Sequence, residues 1–284
     1  MELGFQVLDF QITLLLNIFL AYIAYRYKFL ERKAIAVTFV MGCIIGGFGG
    51  LALYMTIVGF FVVSSVFTFY KQDIKRKYYA IMSKGGTRDH IQVLSNGLVA
   101  TVIAILYAMT GLKEYLFLAY IGTLATVTSD TWATELGILS SKKPRLITDL
   151  KRTVEPGVSG GVTMLGYGAA SAAGFFIATV AYVFHRLKLV FTGFNGFYIS
   201  PEIIYLVAIV SGLIGCTMDS ILGATVQGFY YCEKCKIFTE RKIHTCGEKA
   251  RLIHGYEFFN NDVVNLTSSI IGALIGFALA LTLL

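Results

Sequence analysis

This sequence is short of charge: Asp, Glu, Lys and Arg make up 14% of its 284 residues. Proline is also scarce, at 3 residues, and cysteine is limited to 5. Hydrophobic residues reach 56% and the mean hydropathy is +0.70, whereas only about half of an ordinary globular chain is apolar. A soluble domain cannot hide that much apolar side chain, so that class is excluded. Two further absences matter. The opening MELGFQVLDF places acids where a cleavable signal peptide carries its basic segment, so the first apolar helix is expected to remain as an anchor. No glycine turn runs into Gly-Lys-Ser or Gly-Lys-Thr, which excludes the P-loop form of phosphate site.

What is present is a series of long apolar runs, among them Val93–Met109, Ile203–Gly215 and Val264–Leu284. Their composition and length suit bilayer-spanning helices. The expected fold is all-α: one polytopic membrane bundle over residues 1–284, with about eight transmembrane helices near 10–26, 34–50, 51–69, 93–110, 114–131, 158–184, 202–228 and 264–284. The net charge of +7 is not read as nucleic-acid binding, because its distribution follows the loops. Of the 24 Lys and Arg, 21 fall in one set of alternate loops, and Lys113, Arg186 and Lys188 fall in the other. The positive-inside rule then places the basic loops in the cytoplasm and both termini outside. This topology requires a turn at Gly46–Leu51. Gly42, Gly46 and Gly50 have the spacing of close helix packing, with Asn17 and Thr13 as interhelical hydrogen-bonding groups.

The polar residues that enter the apolar runs concentrate at the basic side. TRDHIQVLSNG brings Arg88, Asp89, Gln92 and Asn96 into the start of a span, with Arg88, Gln92 and Asn96 on one helical face. SDTWATELG ends an inward-running span with Ser129, Asp130, Thr131 and Glu135. Two carboxylates there suit a hard divalent cation such as Mg2+, since an unpaired acid in a membrane is costly. Simple pairing with Lys142, Lys143 or Arg145 is the plainer alternative. The basic loop continues through Lys151 and Arg152 into PGVSGGVT. Gly157, Ser159, Gly160, Gly161 and Thr163 there would open the next helix and cradle a phosphate on backbone N–H groups. MDSILGATVQG places Asp219 and Ser220 within the seventh span and Gln227 below them. NNDVVNLTSS delivers Asn261, Asp262 and Asn265 to the start of the last helix. An acidic floor ringed by cations is what a magnesium–nucleotide complex requires. The aromatic segment FTGFNGFYIS, within an outer loop at His185–Ser200, is expected at the membrane interface.

Cysteine clusters in one loop, residues 229–258. Cys232 and Cys235 have a Cys-x2-Cys spacing, followed by His244 and Cys246. Four soft ligands in so short a stretch match a closed, structural zinc site, the alternative being a reduced, metal-free loop. Cys43 and Cys216 lie within spans and are expected to serve packing.

TRDHIQVLSNG, SDTWATELG, PGVSGGVTMLG, MDSILGATVQG and NNDVVNLTSS, in this order, resemble an integral membrane family. It contains plant phytyl-phosphate kinase and animal transmembrane protein 19, with many archaeal members. The resemblance implies transfer of a nucleoside triphosphate's γ-phosphate, with CTP the expected donor, to an isoprenoid monophosphate of phytyl or geranylgeranyl type at the cytoplasmic membrane face. The residue reading is compatible with this. Asp130, Glu135 and Asp219 would hold Mg2+ with Asp262 beside them. Gly157–Thr163, Lys151 and Arg152 would hold donor phosphates, and Arg88, Gln92 and Asn96 would orient the lipid phosphate. A transporter or flippase of phosphorylated isoprenoid lipid is the alternative, and predicts acids spread through the membrane depth. A scaffold built on the zinc loop would explain the cysteines but not the intramembrane acids. A homo-oligomer is compatible with either reading.

Overall fold

A computed structural model describes residues 2–191 and 197–284, with side chains described from residue 9 onward in the first helix and to residue 190 before the gap. Nine α-helices and two small sheets follow in order. The helices are α1 (Glu2–Arg26), α2 (Arg32–Ile44), α3 (Gly50–Phe69), α4 (Gln72–Arg76), α5 (His90–Met109), α6 (Lys113–Gly137), α7 (Met164–Phe191), α8 (Pro201–Thr225) and α9 (Asn261–Leu283) among the described residues.

Among the described residues, five stretches are long and apolar enough to cross a membrane: Arg32–Phe69, His90–Met109, Met164–Val190, Pro201–Thr225 and Asn261–Leu283. The first of these is not one rod. A π-helical turn at Ile45–Gly49 leads into Gly50, whose φ of 72° ends the run. Glycine tolerates that left-handed value and a β-branched residue does not. The chain doubles back there, so that Ile35 of α2 and Phe61 of α3 pack on the same small cluster. The turn lies beside Asp9 and Lys188, at the end of the bundle opposite the polar loops. Gly42 abuts Asn17 and Gly46 abuts Thr13, as the four-residue spacing predicts. Asn17 Nδ2 donates across to the Phe39 carbonyl at 2.8 Å, whereas Thr13 donates within its own helix to Phe10.

α6 is the axis of the molecule. It packs against α3, α5, α7, α8 and α9 and is buried along nearly its whole length from Leu116 to Ser129. Its hydroxyls exclude it from the strongly apolar set, yet they are satisfied inside the bundle. Thr126 donates to the Ser211 carbonyl at 2.9 Å, Ser129 to Ala170 at 2.8 Å, and Thr123 to Ser269 at 3.3 Å. Thr128 bonds back to Leu124 at 2.5 Å. Without water in a bilayer core, each such group needs a protein partner. The close approach depends on glycine: a Cβ on Gly215 of α8 or on Gly272 of α9 would collide with Thr126.

Three expectations are corrected. The fold is mostly helical but not all-α, because the loops at the polar end form two antiparallel sheets. One holds β1 (Arg145–Leu146), β2 (Asp149–Thr153) and β3 (Gly161–Val162), ordered β2-β1-β3; the other holds β4 (Phe229–Cys232), β5 (Ile237–Thr239) and β6 (Arg251–His254), ordered β5-β4-β6. Second, the glycine run does not itself open a helix. Gly161 pairs in β3 with Leu146, and α7 begins only at Met164, with Thr163 Oγ1 accepting from the Gly166 amide at 2.9 Å. Third, His185–Phe191 is helical, being the end of α7; of the expected interfacial segment, residues 192–196 lie outside the described residues.

Candidate active site

The loops and helix ends at the polar end enclose a cavity of about 190 Å³. It gathers residues from motifs that are far apart in sequence. Arg88 enters from just before α5, Gln92 and Asn96 from α5, Asp130, Thr131 and Glu135 from α6, and Asp219 and Ser220 from α8. The glycine turn supplies residues 157–163, and α9 supplies Asn261 and Asn265.

Asp130 and Asp219 face each other within hydrogen-bonding reach. Asp219 Oδ2 also accepts from Ser268 Oγ at 2.9 Å. Among the described residues neither acid has a Lys, Arg or His partner. Two half-buried carboxylates side by side with no cation are costly unless protons or a divalent ion offset their charge. An all-oxygen donor set of this kind fits Mg2+ in chemistry.

Glu135 differs. It is ion-paired at 2.7 Å with Lys75, whose side chain is 1% exposed. Lys75 also donates to the Phe67 carbonyl at 2.5 Å and lies 3.4 Å from the Thr68 carbonyl. The partner of Glu135 is therefore neither Lys142, Lys143 nor Arg145. Asp262 is likewise paired: Lys84 reaches it at 2.6 Å and reaches Asp89 at 2.9 Å. Asp89 additionally caps α5, accepting from the Gln92 amide at 2.8 Å. Lys84 thus ties the start of α5 to the start of α9.

The glycine turn is built with Gly157 at φ 92° and Gly160 at φ 78°. Gly160 sits so tightly on Ala224 of α8 that no Cβ fits. Glu240, from the cysteine loop, reaches into the turn and accepts from Ser159 N at 3.0 Å, Ser159 Oγ at 2.5 Å and Ser83 N at 3.1 Å. Burial pushes its carboxyl up, against the lowering effect of those donors. Gln227 supports the same turn, donating to Ser159 Oγ at 3.0 Å.

Six of the expected site residues do not line the cavity. Lys151 and Arg152 stand exposed on β2, Ser129 is buried facing Ala170, and Asp89, Asp262 and Gln227 stand behind the lining, the two acids on Lys84 and Gln227 on Ser159. Conversely, Lys75, Lys84 and Glu240 are central, and the sequence carries no spacing signal for any of them. Each sits in a charged loop where one residue of its type looks like the next.

The cysteine loop fits a metal. The ligand atoms of Cys232, Cys235, His244 and Cys246 all lie within 4.8 Å of one another, a set suited to an ion such as zinc. A hydrogen bond from His244 pulls the Cys246 thiol down to about 6, and a hydrogen bond between Cys235 and Cys246 pushes the Cys235 thiol up to about 11. Metal binding would release the thiol protons.

A membrane-helix bundle with an acid-lined polar cavity at one end is the class that fold and site define. The chain belongs to the family described as Integral membrane protein DUF92, which it matches over residues 15–273. It is 34% identical to Protein PGR of Arabidopsis thaliana over 227 residues, covering 74% of this chain and 75% of that protein. An uncharacterized membrane protein of Methanocaldococcus jannaschii is 28% identical over 273 residues, 96% and 94% of the two chains. Protein VTE6, chloroplastic, from Arabidopsis thaliana is 24% identical over 250 residues, covering 87% of this chain and 64% of that relative. No solved structure matches.

Proposed function

We propose that this protein is a magnesium-dependent kinase of isoprenoid monophosphates, acting at the cytoplasmic membrane face. The observation that carries this reading is the Asp130–Asp219 pair, cation-free and in one cavity with a glycine turn and a buried guanidinium, Arg88. The family that the sequence resembles includes plant phytyl-phosphate kinase, and that resemblance supports the same class. CTP is the favoured donor by that resemblance.

Asp130 and Asp219 would hold Mg2+, with Glu135 and its Lys75 partner at the edge of the same site. When bound, the ion neutralises charge on the β- and γ-phosphate oxygens. Backbone N–H groups of Gly157 and Gly160 would orient the donor, since those of Val158, Ser159 and Gly161 bond to Glu155, Glu240 and Val158; Arg88, Gln92 and Asn96 would orient the acceptor phosphate. An ionised oxygen of the prenyl monophosphate attacks the γ-phosphorus; the bond to the β–γ bridging oxygen breaks, and the nucleoside diphosphate leaves with that electron pair. The acceptor is already an anion, so no general base is needed. The transporter alternative predicts acids through the membrane depth, whereas Asp89, Asp130, Glu135, Asp219, Glu240 and Asp262 are linked around one end.

The test uses purified protein in detergent with magnesium, radiolabelled CTP or ATP, and phytyl or geranylgeranyl monophosphate. Label should enter a prenyl diphosphate, and Asp130→Asn should lower the rate by at least about a hundredfold. Binding of the prenyl phosphate without transfer from any nucleotide would overturn the kinase reading in favour of transport.

A further inference from the structure

A second cavity, of about 80 Å³, lies between α1, α2, α3 and α5. Leu20, Ile35, Met41, Ile57, Val58 and Phe61 form its apolar wall. Arg88, Gln92 and Asn96 border this cavity and the polar one alike. Arg88 does not share the helical face expected for it, because α5 begins at His90 and Arg88 is extended, bridged to Leu30; even so, Arg88, Gln92 and Asn96 stand together at the junction of an acid-lined chamber and an apolar one.

Arg88 makes the junction chemically specific. Its side chain is 7% exposed and sits over the Phe60 ring at 5.6 Å. Among the described residues no hydrogen bond or ion pair holds its guanidinium. Glu135 acts on it only through space and is itself paired with Lys75. A buried guanidinium without an anion is strongly unfavourable, and its planar donors match a phosphate. Thr38 and Tyr54 add two buried hydroxyls without hydrogen bonds to the apolar wall, so Arg88 is the charge this chamber offers an occupant.

We infer that the α1–α2–α3–α5 cavity is the binding site for the first isoprene units of a lipid phosphate whose head passes Arg88 into the polar chamber. The inference rests on the proposed prenyl-phosphate reading and gives it a location. A free nucleotide or inorganic phosphate would engage Arg88 but leave the apolar wall without contact. An uncharged prenol would do the reverse. A lipid phosphate satisfies both, and its distal chain continues into the bilayer.

The experiment needs no nucleotide. Wild-type protein in detergent is incubated with a geranylgeranyl monophosphate carrying a diazirine on its second isoprene unit, irradiated, and the labelled peptides are sequenced. Label is expected in α1, α2 or α3, and should fall when Arg88 is changed to Gln. Separately, the ratio of affinities for geranylgeranyl over dimethylallyl monophosphate is measured in wild type and Val58→Trp. Filling the cavity should lower that ratio by at least about tenfold. Label confined to α8 or α9, or scattered over every lipid-facing helix, overturns the site while leaving the kinase reading intact. Absence of any prenyl-monophosphate binding to wild type instead removes the kinase reading itself. Should Val58→Trp not fold, the wild-type label position decides alone.

Discussion

Lys75 holds Glu135 at 2.7 Å and also bonds to the Phe67 carbonyl at the end of α3. Removing one member of such a buried pair strands the other, which costs roughly 3–5 kcal/mol. Lys75→Met is therefore expected to lower the thermal unfolding temperature in detergent markedly, and Lys75→Met with Glu135→Leu to recover much of the loss. Equal unfolding temperatures for wild type and the single variant would show that the pair contributes nothing. Glu240 presents a different residue-scale case, because one carboxylate serves two backbone N–H groups from different loops. Glu240→Gln turns one acceptor into a donor against one of those N–H groups, an unsatisfied contact of about 1–3 kcal/mol. Its carboxyl is raised by burial, so the folded state holds that proton more tightly than the unfolded chain. Its contribution to stability is then largest below the unfolded carboxylate pKa and falls as pH rises toward the folded one. Unfolding measured against pH should show that slope in wild type and not in Glu240→Gln.

The cysteine hairpin and the glycine turn behave as one element. Thr239 donates to the Ala80 carbonyl at 2.8 Å, Arg241 Nε to Met82 at 3.0 Å, and Glu240 bridges Ser83 and Ser159. β5 is held in register on β4, which carries Cys232. Chelating any ion held by the cysteine cluster, or Cys235→Ser, should thus loosen two loops that contain no cysteine. Hydrogen exchange at the amides of residues 81–84 and 157–161 should rise together, with bound zinc measured on the same sample. Unchanged exchange in the glycine turn after metal loss would separate the two elements. Among the helices, the contact of α6 with α8 and α9 depends on the missing side chains of Gly215 and Gly272. Gly272→Leu should cost at least about 1–3 kcal/mol through overpacking, read as a lower unfolding temperature. An unchanged temperature would mean that α9 can shift aside.

For the whole molecule the decisive property is sidedness. Asp9, Gly50, Lys113 and Lys188 cluster at one end, and the cavity, both sheets and the Lys75 and Lys84 ion pairs lie at the other. In a cysteine-free background that retains activity, Lys151→Cys should react with an impermeant thiol reagent only from the cytoplasmic side, and Lys113→Cys only from the outer side. Labelling of both from one side would refute the topology. The alternation of basic and neutral loops already expressed this polarity, because loop charge is a property of local composition. The apolar runs, the four-residue glycine spacing and the metal-ligand spacing were legible for the same reason: each depends on neighbours along the chain. Asp130 and Asp219 were visible too, since a carboxylate inside an apolar run has few explanations. Tertiary structure decided the rest. It made Thr126 and Ser129 into packing groups, sent Lys151 and Arg152 to the exposed edge, and chose Lys75, Lys84 and Glu240 from many similar loop charges. The three loop charges meet partners 60 to 178 positions away, and no local pattern encodes which distant loop a charge will meet.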